Sequence, residues 1–266
     1  LRMRDHMPFD GWNIRVPTID IETVAAGGGS ILGFDGQRMT VGPESAGADP
    51  GPVCYDQGGP LTITDANLVL GRLLPETFPR QFGPDHRGAI NPEASRRALA
   101  QRAAQINRAT GQTLTAEAVA QGYIDIANQQ MAKPIRSVSV ARGYDLRDHA
   151  LVSFGGAGGL HASELATLLG IDSVLIHPLA GIYSAWGIAN AKQRHQREMS
   201  LLQPFTEARW KLLAEQFTNL EQQLLPLFNT APGEITMKRQ LDLRPLGSDS
   251  YLTVAMGNYD QCRSLF

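Results

Sequence analysis

The run Phe154-Gly155-Gly156-Ala157-Gly158-Gly159-Leu160-His161-Ala162 holds the residue types that contact with a polar or anionic ligand requires. Residues 150–154 read as a buried strand, 155–159 as a tight turn and 160–169 as a helix. Without Cβ atoms the turn can approach a ligand closely. Its N–H groups, at a helix N-terminus, favour a phosphate or the polar edge of a nucleotide. The spacing matches neither the phosphate-loop lysine motif nor the dinucleotide fingerprint. Close helix–strand packing would use the same glycines, so both roles stand open at this point. His161 falls in the first helical turn, where a neutral, hydrogen-bonded histidine is the commoner outcome and catalysis the rarer one. His149, His161 and His177 lack the spacing of paired ligands on one helix, and no metal site can be assigned.

A second set of candidates lies in residues 42–52, whose prolines and glycines predict a loop without regular structure. Within it Glu44 could act as an acid or base or hold a cation, and Ser45 could donate to an anion. Both could equally satisfy loop backbone groups. Cys54 follows directly, but a lone cysteine is more often a small buried hydrophobe than a nucleophile. A third set is Asp65 and Asn67, two apart in Thr62-Ile63-Thr64-Asp65-Ala66-Asn67. Helix capping would explain both; lining a site with Glu44 would too.

Several elements must position these groups. Ile19, Ile21 and Val24 suggest a short strand leading into Gly27-Gly28-Gly29, and Asp35-Gly36 predicts the two central residues of a hairpin turn. Asn91-Pro92-Glu93 starts a helix running to about Ala109, stopped by Gly111. Thr115 caps a second helix, with Val119, Tyr123, Ile126, Ala127, Met131, Ile135 and Val138 at helical spacing. Pro134 should kink or split it, at roughly 3 kcal/mol unless packing compensates. A second strand over 173–176 and a helix over 182–191 complete an alternating α/β series. Trp210, Leu213, Phe217, Leu220 and Leu224 then form an amphipathic helical stripe from Thr206, followed by a hairpin from 233–243 and 250–256.

The 266 residues suit one large domain or two modest ones, with 42% hydrophobic and 19% charged residues, and a net charge of -2. No basic run points to nucleic acid or an anionic membrane, and no apolar stretch approaches bilayer-spanning length. Two cysteines fit a reducing, cytoplasmic setting and no disulfide framework.

Four segments in order resemble the hydantoinase/oxoprolinase family. They are Asp20-Ile21-Glu22-Thr23-Val24-Ala25-Ala26-Gly27-Gly28-Gly29-Ser30, Val41-Gly42-Pro43-Glu44-Ser45-Ala46-Gly47-Ala48-Asp49-Pro50-Gly51-Pro52-Val53-Cys54-Tyr55, Thr64-Asp65-Ala66-Asn67-Leu68-Val69-Leu70-Gly71-Arg72 and the glycine turn. The likeness is thinner near the end, where Pro245-Leu246-Gly247-Ser248 stands in place of the family's Tyr-x-Gly-Gln pattern.

The resemblance implies the distal half of an actin-like, sugar-kinase-like (ribonuclease H-like) ATPase core. It implies ATP and Mg²⁺ as cofactors and opening of a cyclic amide such as 5-oxoproline or a hydantoin. Phosphorylation of the amide oxygen would supply a leaving group that water displaces. Gly155, Gly156, Gly158 and Gly159 would contact the nucleotide; Glu44, Ser45, Asp65 and Asn67 would serve the substrate or metal side. Residues 1–80 would form a Gly/Pro-rich β region, 81–200 a nucleotide-binding half-domain and 201–266 the start of a C-terminal α+β domain. The family's early Asp-x-Gly-Gly-Thr loop is absent from these residues, so the chain is expected to be a fragment, inactive alone. A second hydantoinase subunit or domain and an oligomer are both compatible with the resemblance. Two alternatives keep the fold: an ATP-using subunit of the ketone carboxylase type, and a non-catalytic scaffold.

Overall fold

A computed structural model describes residues 3–4, 7–14, 18–19, 21–229, 232–248 and 251–266. Asp20 of the first family-like segment and Ser250 of the expected hairpin lie outside the described residues. In chain order the elements are β1 (Met3–Arg4), β2 (Met7–Phe9), β3 (Trp12–Ile14), β4 (Thr18–Ile19), β5 (Ser30–Phe34), β6 (Met39–Ser45), α1 (Ile63–Val69), α2 (Pro92–Thr110), α3 (Ala116–Val140), β7 (Ala150–Ser153), α4 (Gly159–Leu169), β8 (Ser173–Ile176), α5 (Tyr183–Ala189), α6 (Glu207–Leu224), β9 (Gln240–Leu243), β10 (Leu252–Ala255) and α7 (Tyr259–Leu265). The class is α/β. Two compact units divide the chain, residues 1–188 and 189–266.

In the first unit the principal core joins Leu32 and Val41 of the β5–β6 hairpin to Ile63 and Ala66 of α1, Leu99 and Ile106 of α2, and Val119, Tyr123 and Ile124 of α3. This core takes residues from both sides of position 80. Asn91 caps α2 by accepting from the Ala94 N–H at 3.1 Å, and Gly111 ends it in the left-handed region at φ 72°. Thr115 accepts from the Ala118 N–H at 3.2 Å to start α3. Pro134 does not split α3, which runs unbroken through it. The first half of α3 packs on α1, α2 and β6, while Ala132 and the half-buried Met131 and Ile135 join Leu165, Ala166 and Leu169 of α4. Packing on both sides of the proline offsets its missing N–H.

Three expectations need correction. The 42–52 segment is not wholly irregular, because β6 runs to Ser45, which pairs with Ser30 across a register shift. Gly42 permits this with φ +60° and a backbone so close to Ala25 that a Cβ would lie 2.7 Å from its carbonyl oxygen. The hairpin turn is centred on Gly36-Gln37 rather than Asp35-Gly36. Asp35 instead uses its carboxylate to accept from the N–H groups of Gln37 and Arg38, at 2.8 and 2.7 Å. Ile21 and Val24 follow the short β4 as irregular chain.

The strand over 150–154 is also not buried. β7 and β8 pair in parallel as expected, and α4 packs against both. Leu151 meets the α4 core, but Val152 is 44% and Leu175 58% exposed.

In the second unit the α6 stripe is the shielded face, with Leu213 buried. Arg239 pairs with Glu221 through Nε and Nη2 at 2.7 and 2.8 Å and lies 5.6 Å from the Phe217 ring centre. β9 and β10 form the expected antiparallel pair, with Val254 and Cys262 buried. β9 is shorter than the expected 233–243 strand. Among the described residues no helix is long and apolar enough to cross a membrane.

Candidate functional site

The first three family-like segments are knitted into one scaffold by hydrogen bonds. Thr64 donates its N–H and Oγ1 to the Gly28 carbonyl, each at 2.9 Å, and Ala46 donates its N–H to Gly29 at 2.9 Å. Asp65 is fully buried and sits at the centre. Its Oδ2 accepts from the N–H groups of Val53 (3.2 Å) and Thr62 (2.8 Å) and from Thr62 Oγ1 (3.0 Å); its Oδ1 accepts from Cys54 N–H (2.8 Å) and Ser95 Oγ (2.7 Å). Burial and the adjacent carboxylate push the Cys54 thiol far up, which keeps it protonated and a poor nucleophile. Asn67 is also buried; its Nδ2 donates to Ile63 at 3.1 Å while its Oδ1 has no partner among the described residues. Glu44 and Ser45 are exposed at the end of β6, where Ser45 Oγ accepts from Gly47 N–H at 3.2 Å.

The glycine turn lies at the carboxyl end of β7, where open α/β sheets bind their ligands. It opens α4, and its Ala157 and Gly158, but not Gly155, Gly156 or Gly159, border a cavity of about 270 Å³. The cavity wall is mostly apolar, including Met131, Leu151, Phe154 and Leu165, and also takes in Ala26 and Gly27 from the first glycine run. Glu44, Ser45, Asp65 and Asn67 do not line it.

The four glycines divide into two pairs. Gly155 has φ +90° and donates its N–H to Ala180 at 2.8 Å, and a Cβ on Gly158 would lie 2.7 Å from the Phe154 carbonyl oxygen. The fold itself requires these two. Gly156 and Gly159 have ordinary φ and open space where a Cβ would go. Among the described residues no acceptor is paired with the N–H groups of Gly156, Ala157, Gly158 and Gly159. The turn therefore presents donors and room beyond what packing needs.

His161 faces the same cavity and is only 2% exposed. Its Nδ1 lies 2.7 Å from Asn128 Oδ1; Asn128 Nδ2 in turn donates to Glu164. Arg72, at the end of the third segment, donates from Nη2 to Glu164 at 2.5 Å and to Gln121 at 3.0 Å. This relay joins the glycine turn to the scaffold. Burial, together with the Arg72 charge, holds the His161 pKa below its usual value, against a smaller opposing effect of Glu164, so the ring is neutral. Asn128 and Glu164 escaped notice in the sequence. The usable signals were a polar residue on the apolar face of α3 and a carboxylate one helical turn after His161.

Among the described residues no three His, Cys, Asp or Glu side chains gather to hold a metal ion. The cavity wall has no carboxylate. The residues at this site therefore do not fit a Mg²⁺ site of their own.

The protein of *Saccharomyces cerevisiae* named 5-oxoprolinase is 42% identical over 93% of this chain, and the caprolactamase subunit alpha of *Pseudomonas jessenii* is 39% identical over 80% of it. The chain spans 20% of the first and 28% of the second. Among solved structures, the ATP-dependent caprolactamase from *P. jessenii* superposes with a TM-score of 0.69 at 34% identity, over 97% of this chain and 37% of that one. A nucleotide-free acetone carboxylase gives 0.75 at 23% identity, over 99% and 39%, a likeness of fold alone. The profile of the hydantoinase/oxoprolinase family matches residues 2–197, which include all four sequence segments and every residue lining the cavity, and the chain belongs to that family.

Proposed function

We propose that this chain supplies the nucleotide-side part of an ATP-dependent enzyme that opens a cyclic amide. The observation that carries the proposal is the pair Gly156 and Gly159, which the fold does not require, within a run of four N–H groups (156–159) that, among the described residues, have no partner just before and at the start of α4. Backbone donors free of partners among the described residues, at a helix N-terminus whose Ala157 and Gly158 line a mostly apolar cavity, suit the polar part of a nucleotide. The relatives named as ATP-dependent caprolactamase and 5-oxoprolinase support ATP as the co-substrate and a lactam as the acceptor. When bound, ATP supplies the phosphoryl group that turns an unreactive amide oxygen into a leaving group.

The chain's own residues do the positioning. The turn's N–H groups hold and orient the nucleotide. Glu44 and Ser45, exposed on β6, are proposed for the substrate side. Asp65 and Asn67 are proposed to act from beneath, by fixing the segment around Cys54 and the end of α1. An actin-like, sugar-kinase-like core would place the present α/β layer in its second half, with residues 1–80 on the substrate side, 81–200 around the nucleotide and 201–266 beginning a further domain. The name caprolactamase subunit alpha supports a second subunit as partner, and the setting proposed is cytoplasmic.

The test is phosphate release by the full-length protein with ATP and Mg²⁺, with and without 5-oxoproline, hydantoin, ε-caprolactam or a ketone plus bicarbonate. Stimulation by one lactam, with ring-opened product, is the expected result. Stimulation by the ketone mixture alone transfers the chain to carboxylation. Absence of both nucleotide binding and stimulation removes the enzymatic proposal.

A further inference from the structure

His161 is among the most deeply buried polar residues of the first unit, and half of its hydrogen-bonding capacity is unused. The relay dictates its tautomer. Asn128 Nδ2 donates to Glu164, so Asn128 Oδ1 is left as the acceptor that faces the imidazole. His161 Nδ1 must then carry the hydrogen, and Nε2 is left as a bare lone pair. That Nε2 is buried and has no partner among the described residues. Buried acceptors are rarely left so, because the lost hydration is not repaid. Three elements converge to keep this one in place: Arg72 after α1, Asn128 on α3 and Glu164 on α4.

We infer that His161 is a ligand-binding, specificity-determining residue, whose Nε2 accepts a hydrogen bond from an N–H carried by a ring ligand seated in the cavity. The wall beside it is supplied chiefly by Met131, Leu151, Phe154 and Leu165, an apolar surface that suits the face of a ring. An acceptor-only histidine disfavours a carboxylate or phosphate oxygen, which also only accepts. The two sides of the site therefore sort a ligand by polarity: N–H donors of the turn meet acceptor oxygens, and His161 meets a ring donor. An exocyclic amine of a nucleobase and the N–H of a cyclic amide share that chemistry. The inference refines the proposed function, in which this cavity is occupied.

The experiment measures affinities of the full-length protein for two matched pairs by calorimetry: ε-caprolactam against N-methylcaprolactam, and ATP against purine riboside triphosphate, which lacks the exocyclic amine. The unmutated protein is expected to prefer the N–H member of one pair by at least about tenfold, as sites with a dedicated buried partner do. In His161→Phe that preference falls to within about threefold. The pair that shows the effect identifies the ring. Should circular dichroism show that His161→Phe does not fold, His161→Ala with added imidazole replaces it, and the preference returns only when imidazole is present. Equal affinities within both pairs in the unmutated protein overturn the inference, and so does a preference unchanged in the variants. Lactam-stimulated phosphate release is read separately, so its absence counts against the proposed reaction and not against the role of His161.

Discussion

Replacing Asp65 by Asn separates a structural carboxylate from a catalytic one. The present side chain accepts five hydrogen bonds, three of them from backbone N–H groups that cannot turn away. An amide must put its NH₂ where one oxygen now lies. Toward Val53 and Thr62 it would confront two backbone donors. Toward Cys54 and Ser95 it confronts one, and the Ser95 hydroxyl can rotate to accept. The second orientation costs less and strands a single buried donor, at about 1–3 kcal/mol. The remaining bonds lose their charge assistance, while relief from burying a charge returns part of the loss, for a net cost of about 2–4 kcal/mol. Asp65→Ala strands every donor and should cost about 4 kcal/mol or more. The suitable assay is hydrogen exchange of peptides covering residues 53–70, which reads the local effect directly. At about 1.4 kcal/mol per decade, amides there should exchange about 30- to 1000-fold faster in Asp65→Asn. Exchange within threefold of the parent, combined with loss of lactam-dependent ATP turnover, would falsify the structural assignment and make Asp65 a group that meets the ligand.

Gly156→Ala, which meets nothing within 4 Å, should leave stability within about 0.5 kcal/mol of the parent yet weaken nucleotide binding; equal affinity would mean that no ligand approaches there. Gly158→Ala drives a Cβ against the Phe154 carbonyl and should destabilise by about 1–3 kcal/mol in thermal melts, whether or not nucleotide is present. Arg72→Lys keeps the charge, but its shorter side chain does not carry a donor to the place where Nη2 meets both Glu164 and Gln121; a loss of about 1–2 kcal/mol, non-additive with Glu164→Gln in a double-mutant cycle, is expected. His161 has a folded pKa below its usual 6.5, so the unfolded chain binds its proton first as pH falls. Stability contributed by the neutral ring is complete above about pH 6.5 and declines below it toward the folded pKa, and His161→Phe should flatten that part of the acid-stability profile.

Local chemistry made the helices readable. Asn91 and Thr115 accept from the N–H groups three residues on, Gly111 adopts the left-handed conformation that stops α2, and Thr206 precedes α6. Where tertiary contacts decide, the sequence misleads. Pro43 and Gly42 look incompatible with a strand, yet among the described residues β6 pairs with β5 alone and no further strand demands the missing N–H, and Ala25 packs against the glycine from outside the hairpin. Val152 and Leu175 look like core because they are apolar and β-branched or aliphatic. Their exposure depends on which face of a two-stranded sheet another element covers, and no local pattern records that.

The site shows the same division. The glycine turn was recognisable from composition, because a strand running into glycines and then a helix has few other uses. Composition could not tell which glycines serve the chain and which serve a ligand, since Gly155 and Gly156 are the same residue one position apart. That distinction needed φ, and the distance from each absent Cβ to its nearest neighbour. His161 stood in plain view, and a neutral, hydrogen-bonded ring was the expected outcome for it. Its meaning changes once Asn128 is found 33 residues earlier on the facing helix, because the amide that neutralises one nitrogen also leaves the other an acceptor without a partner. A bland reading of the histidine and a functional one are then compatible: the same hydrogen bond that satisfies Nδ1 prepares Nε2 for a donor that the chain itself does not supply.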